Sequence, residues 1–172
     1  MKIIANANKK GGVAKTTVSI HLSAYLAMLG YKVLIIDYDP QCSLSDGYGI
    51  DYENYPYTTH DFMQGNKGLR FKKKMDNLYI MVGSPLLDTV QYMDMYILRN
   101  RIETLVKYCG EKMDIDFDFV ILDISPSDLL NKYMYSSSGK KTFLPKLNQI
   151  ALAAADYAII PLVTDRFSVK GL

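Results

Sequence analysis

The stretch NANKKGGVAKTT, Asn6–Thr17, constrains this chain more than any other. Before it, Ile3, Ile4, Ala5 and Ala7 make a short apolar run that reads as a buried strand ending at the glycines. After it, Thr16 to Leu29 reads as a helix. Val18, Leu22 and Leu26 recur at four-residue steps, and Gly30 stands where a C-cap is expected. KVLIIDYDP then gives a second strand that stops at Pro40. Strand, glycine turn, helix, strand is a βαβ unit. A turn at that place, with a helix N-terminus behind it, is suited to anions, because successive backbone N–H groups point inward. Gly11 and Gly12 remove side chains where the backbone must bend and approach a phosphate. Lys15 can reach β- and γ-phosphates, and Thr16 places a hydroxyl where Mg²⁺ would sit. The ordinary phosphate loop G-x-x-x-x-G-K-[ST] has glycine at its head and directly before its lysine. Here Lys9 and Lys10 stand at the head, and Ala14 precedes Lys15. Alanine lacks easy access to positive φ, so Ala14 is expected at an ordinary negative φ.

Further strands are expected at Leu78–Ser84, Phe117–Ser125 and Tyr157–Leu162. Helices are expected near Thr59–Met63, over about 91–109 with Leu98, Ile102, Leu105 and Cys109 on one stripe, and from Pro145 through Ala155. Ser136–Lys141 reads as a loop, and residues 41–77 read mostly as loops. No repeat and no composition shift marks a second domain. The expected fold is α/β: a mostly parallel, doubly wound sheet with helices on both faces, in one nucleotide-binding domain over 1–172. Ligands of such sheets sit at the carboxyl ends of the strands, where the glycine loop, DYDP and DIS all fall.

Mg²⁺ beside a nucleotide takes one or two carboxylates together with phosphate oxygens and water. Asp123 ends the most apolar strand of the chain, as a Walker-B aspartate does. Asp37 and Asp39 stand two apart at the end of the second strand, so they share a side if the pleat persists that far. Each has a plainer alternative: an aspartate ending a strand can cap the turn that follows, and Pro40 can account for one of the pair.

These motifs together resemble a known family. KGGVAKTT matches the deviant Walker A pattern K-G-G-x-x-K-[ST]-[ST]. LIIDYDPQ resembles that family's Walker A′ segment, and FDFVILDISPS its Walker B. ADYAIIPLVTDRFSVKGL is similar to the segment that follows. The pattern is that of the ParA/MinD group of P-loop ATPases, and most of all its ParA/Soj branch. The resemblance implies ATP and Mg²⁺ as cofactors and an ATP-dependent homodimer, with DNA partition as the output. Activity would be weak alone and stimulated by a ParB-like activating protein. By position, residues 10–17 (Lys10, Gly11, Gly12, Val13, Ala14, Lys15, Thr16 and Thr17) would bind nucleotide. Lys10 would cross to the partner's nucleotide, and Lys15 would hold the β/γ-phosphates. Thr16 and Asp123 would serve Mg²⁺, with Asp37 an outer contact of the metal, and Asp39 would position the attacking water. The catalytic set so implied is Lys10, Lys15 and Asp39. Alternatives are a MinD-like cell-division ATPase, a metabolic P-loop enzyme, and a shortened, non-hydrolysing partner-binding remnant.

Two departures stand out. Ser125 replaces the first proline of the family's D-x-P-P-S, and residues 129–144 form an insertion on the side used for dimer and partner contacts. The chain stops at SVKGL, where members of the family run on. Part of the purine contact and any non-specific DNA-binding surface are therefore expected beyond Leu172. Composition adds bounds. A net charge of +2 does not announce a nucleic-acid binder, and the basic run RFKKK, Arg70–Lys74, reads first as a solvated loop. Cys42 and Cys109 lack metal-ligand spacing. With no membrane span and no secretory signal in sight, a cytoplasmic protein is expected, nucleoid-associated if the partition reading holds.

Overall fold

The computed structural model describes residues 1–89, 94–126, 132–135, 141–144 and 146–162. The chain runs β1 (Lys2–Asn6), α1 (Lys15–Met28), β2 (Val33–Tyr38), α2 (Ser43–Gly47), α3 (Thr59–Gln64), β3 (Lys72–Met75) and β4 (Leu78–Met81). It continues through a 3₁₀ turn at Pro85–Thr89 to α4 (Ile97–Met113), β5 (Phe119–Ile124), β6 (Lys132–Tyr135), β7 (Lys141–Leu144), α5 (Leu147–Ala154) and β8 (Tyr157–Ile159). Six strands form one sheet in the order β3-β4-β2-β5-β1-β8, parallel throughout except for β3, which pairs antiparallel with β4.

Alternation along the central strands divides the core between the two faces of the sheet. Leu34 and Ile36 of β2, with Val120, Leu122 and Ile124 of β5, face the cluster built by α4 and α5. Val33 and Ile35, with Ile121, face the cluster under α1. Both faces are covered, which is why β2 and β5 are apolar at nearly every position. On α4 the expected stripe Leu98, Ile102, Leu105 and Cys109 is the buried one, although the helix starts later and ends later than expected.

The inward stripe of α1 differs from the expected one. Its buried residues are Lys15, Ser19, Ser23 and Ala27, while Val18, Leu22 and Leu26 are only half-buried. Small side chains on the inner face let the helix lie close to the sheet, and the larger ones flank the contact. Two other expectations are corrected. RFKKK is partly the edge strand β3, where exposed lysines leave an edge poorly suited to pairing with another chain. The insertion contains a two-stranded antiparallel hairpin, β6–β7, outside the main sheet. Pro145, most of the Ser136–Lys141 loop and the segment after Leu162 lie outside the described residues.

Both thiols are fully buried and unpaired. Burial pushes Cys42 up to about 12, helped by the Asp37 and Asp39 charges, and Cys109 up to about 11. Since the thiolate is the reactive form, Ellman's reagent at pH 8 is expected to titrate neither thiol in the native chain and both after unfolding in guanidinium.

Candidate functional site

Register places three polar side chains in one row at the carboxyl ends of the central strands. Asn6 of β1 stands opposite Asp123 of β5, and Asp123 stands opposite Asp37 of β2. All three are at most 1% exposed. Two carboxylates without water are costly, so the surroundings must supply donors and positive charge. The first turns of α1 do so for Asp123. Ser19 Oγ donates to its Oδ1 at 2.7 Å, and the Thr16 hydroxyl also bonds it. Burial still raises the Asp123 carboxyl above its usual range, against those hydrogen bonds and the Lys15 charge. Asn6 completes the joint by donating from Nδ2 to Ser19 Oγ and to the Lys15 carbonyl, while its Oδ1 is buried without a partner among the described residues.

Asp37 serves a different neighbour. Its Oδ2 accepts from the Ser45 N–H at 2.8 Å and from Ser45 Oγ at 2.6 Å, which ties β2 to α2. Thr59 Oγ1 donates to the Asp37 carbonyl, which ties in α3. Burial pushes the Asp37 carboxyl up to about 7 despite the Ser45 donors. Strand β2 ends at Tyr38, so the pleat does not carry on to Asp39. Asp39 is 6% exposed, its Oδ1 accepts the Gln41 N–H at 2.9 Å, and burial raises its carboxyl against the pull of Lys15.

Lys15 therefore sits in the field of Asp123 and Asp39. Burial lowers its ammonium, partly offset by those two charges. Its Nζ donates to the Lys10 carbonyl at 3.1 Å, across the loop. The Lys10 N–H donates to Asn8 Oδ1 at 2.8 Å, and Asn8 Nδ2 donates to the Pro161 carbonyl at 2.8 Å. The head of the loop is thus anchored next to β8. Val13 is buried, whereas Gly11, Gly12 and Thr17 are exposed.

The loop backbone corrects one expectation outright. Ala14 has φ 62°, in the left-handed region, where negative φ was expected; Gly12 lies there as well at φ 71°. Turning the chain at both residues brings it straight into α1, and among the described residues no side chain caps the helix. The leading N–H groups of α1 are then left for another acceptor. Among the described residues, a Cβ placed on Gly12 would meet nothing within 4 Å.

This set fits a magnesium-bound phosphate group. It offers helix-end N–H donors, the Lys15 ammonium, the Thr16 hydroxyl and the Asp123 carboxylate. Among the described residues no three His, Cys, Asp or Glu side chains converge on a metal. Mg²⁺ beside a nucleotide draws most of its ligands from phosphate and water, so it needs few from the protein. Lys15, Thr16, Asp37, Asp39 and Asp123, the residues expected there, lie together at one set of strand ends. Asn6, Ser19, Ser45 and Thr59 join them unannounced by any motif. Ser19, one turn beyond Lys15 on the same face, was the one of these with a readable signal.

A family signature described as an AAA domain matches residues 1–140. The chain belongs to that family. Its motifs are those of the ParA/Soj type. The chromosome-partitioning ATPase Soj of Treponema pallidum is 34% identical, over 99% of this chain and 60% of its own length. Cobyrinic acid a,c-diamide synthase from Mycobacterium smegmatis, solved with ADP and magnesium, superposes with a TM-score of 0.77 at 26% identity, covering 100% of this chain and 64% of its own. A plasmid partition protein of Borrelia burgdorferi bound to AMPPNP gives a TM-score of 0.75 at 23% identity, covering 99% and 66%, and speaks for the fold alone. This AAA-domain chain spans about 60% of the length of the curated relatives it matches.

Two substitutions test the site's architecture. Ala14→Gly relieves a left-handed alanine and is expected to raise unfolding stability by about 0.5–1 kcal/mol in urea titrations. A Cβ on Gly83 would lie 2.7 Å from the Asp37 carboxyl and 3.1 Å from Cys42 Sγ. Gly83→Ala is therefore expected to cost about 1–3 kcal/mol in the same assay.

Proposed function

We propose that this chain is the nucleotide-binding part of an ATP- and Mg²⁺-dependent dimerising switch that drives plasmid or chromosome partition. The observation that carries the reading is the buried row Asn6–Asp123–Asp37 beneath an uncapped α1, with Lys15 behind the loop and a second lysine, Lys10, at its head. When bound, ATP would supply the transferable phosphoryl group and Mg²⁺ would neutralise charge on it. Lys15 holds the β/γ-phosphates, with its ammonium in the field of Asp123 and Asp39. The loop N–H groups from Gly11 to Thr17 bind phosphate oxygens, and Thr16 and Asp123 hold the metal from the protein side. Asp37, engaged by Ser45, supports the metal site from behind by fixing α2 and β2 against β5. Asp39 orients water. Phosphoryl transfer depends on such positioning and charge neutralisation more than on covalent help.

Lys10 makes the site one half of a two-chain site. Its side chain leaves a backbone held from both sides, and in the partner's site it would act as a trans cation. Hydrolysis is then coupled to pairing, and a ParB-like protein would stimulate it, with non-specific DNA bound by the part of the relatives that this chain does not span. Support comes from the ParA/Soj-type motifs and the likeness to Soj.

A second reading has its own observation, since the cobyrinic acid a,c-diamide synthase matches this chain in fold. That likeness favours a metabolic enzyme using the same loop. Fold alone does not separate the two.

Lys10→Ala is expected to bind ATP with affinity close to wild type while losing the rise of specific ATPase activity with protein concentration. Rates in the variant that still climb with concentration would sink the dimeric reading. An ATPase that stays silent until a small carboxylic acid and an amide donor are added would favour the metabolic one.

A further inference from the structure

A cavity of about 720 Å³ opens between the C-terminal end of α3, residues 65–69 and one face of α4. That volume lies within the range of small-molecule sites. Its walls are mostly apolar, with Phe62, Leu69 and Leu105 among them. Arg101 of α4 also lines it. The Arg101 Nε is buried and has no hydrogen-bond partner, and no hydrogen bond or ion pair is formed by its guanidinium among the described residues. The group is seated closely all the same. Gly65, the C-cap of α3 at φ 80°, would carry a Cβ only 2.8 Å from Arg101 Nη1. Glycine at this place lets the guanidinium lie against the last turn of α3.

A buried, unpartnered donor on a permanent cation is expensive to keep. The described acid on the cavity wall, Asp94, is exposed, and its Oδ1 accepts the Tyr96 N–H at 2.9 Å. Arg101 is the arginine among the residues that line this mostly apolar cavity, and a carboxylate matches its guanidinium in charge and shape. We propose that the cavity between α3 and α4 is a binding site for a small carboxylic acid with an apolar body, the carboxylate paired with Arg101 and the body lying against Phe62, Leu69 and Leu105. None of these residues belongs to the phosphate loop or to the Asp37–Asp123 row, so the inference stands whatever the nucleotide site does.

The test compares 4-phenylbutyrate with its uncharged amide, titrated into the nucleotide-free chain by calorimetry and by methyl NMR. The acid is expected to bind saturably, about ten-fold or more tighter than the amide, and to shift the Leu69 and Leu105 methyls. Arg101→Met keeps the apolar stem and is expected to abolish the preference for the acid. Arg101→Lys keeps charge without the fork and is expected to retain only part of it; this variant serves if the methionine variant does not fold. Equal binding of acid and amide, no saturable acid binding up to the solubility limit, an undiminished preference in either variant, or shifts confined to the phosphate loop would each overturn the proposal.

Discussion

The structure depends on how a buried carboxylate at the centre of a parallel sheet is kept tolerable. Asp123 sits at the end of β5, the strand flanked by β1 and β2, and is 1% exposed. An ionised group there needs partners, and the nearest backbone donors of the sheet are spent on the ladder. The bond from Ser19 Oγ, itself held by Asn6, ties the carboxylate to the first turns of α1. That one joint sets the depth of α1 against the sheet, and the depth requires the small inner stripe of serines and alanine. It also fixes where the helix N-terminus points. The loop conformation follows, since the chain must turn from β1 into a helix already pinned beneath it.

The other two aspartates divide the remaining tasks. Asp37 is a structural hub: it gathers α2 through Ser45 and α3 through its carbonyl, and Gly83 leaves the space its carboxylate fills. Asp39 lies past the strand end and is the acid that, with Asp123, shares the field of Lys15. Two residues that look equivalent in the sequence thus differ because one belongs to the sheet and the other to the turn. The raised carboxyls of all three aspartates express the same burial, and a polyvalent cation brought to these strand ends would be welcomed by it.

Much of this was legible beforehand. The apolar runs of β2 and β5 admit little besides buried parallel strands, and the Leu98–Cys109 stripe on α4 is strong enough to survive an error of several residues in where the helix begins. The place of the loop between β1 and α1 is legible because a glycine pair, a lysine and a hydroxyl stand at fixed spacing between an apolar run and a helical one. What escaped has physical reasons. A left-handed Ala14 contradicts local preference, and only the surrounding turn imposes it. The inner face of α1 is hidden from periodicity, which finds large apolar residues, whereas close approach to a sheet selects small ones. Asn6, Ser45 and Thr59 have no pattern of their own and acquire meaning only through register and proximity. The hairpin β6–β7 lies in an insertion that no motif describes.

The loop's departure from the ordinary pattern now has a structural sense. Glycine at the head would leave a flexible entry, and entropy would be lost on each binding event. In this chain the head is braced instead. Asn8 accepts the Lys10 N–H and reaches the Pro161 carbonyl, while Lys15 holds the Lys10 carbonyl from the far side. A long side chain is placed at lower entropic cost when its root does not move. The backbone of Lys10 meets that condition. Ala14 meets the complementary one at the other end of the loop, where strain in a left-handed residue is tolerated because α1 is already fixed by Ser19 and Asp123. The two departures from the common motif are therefore linked through the same buried carboxylate, which holds the helix that the loop must reach.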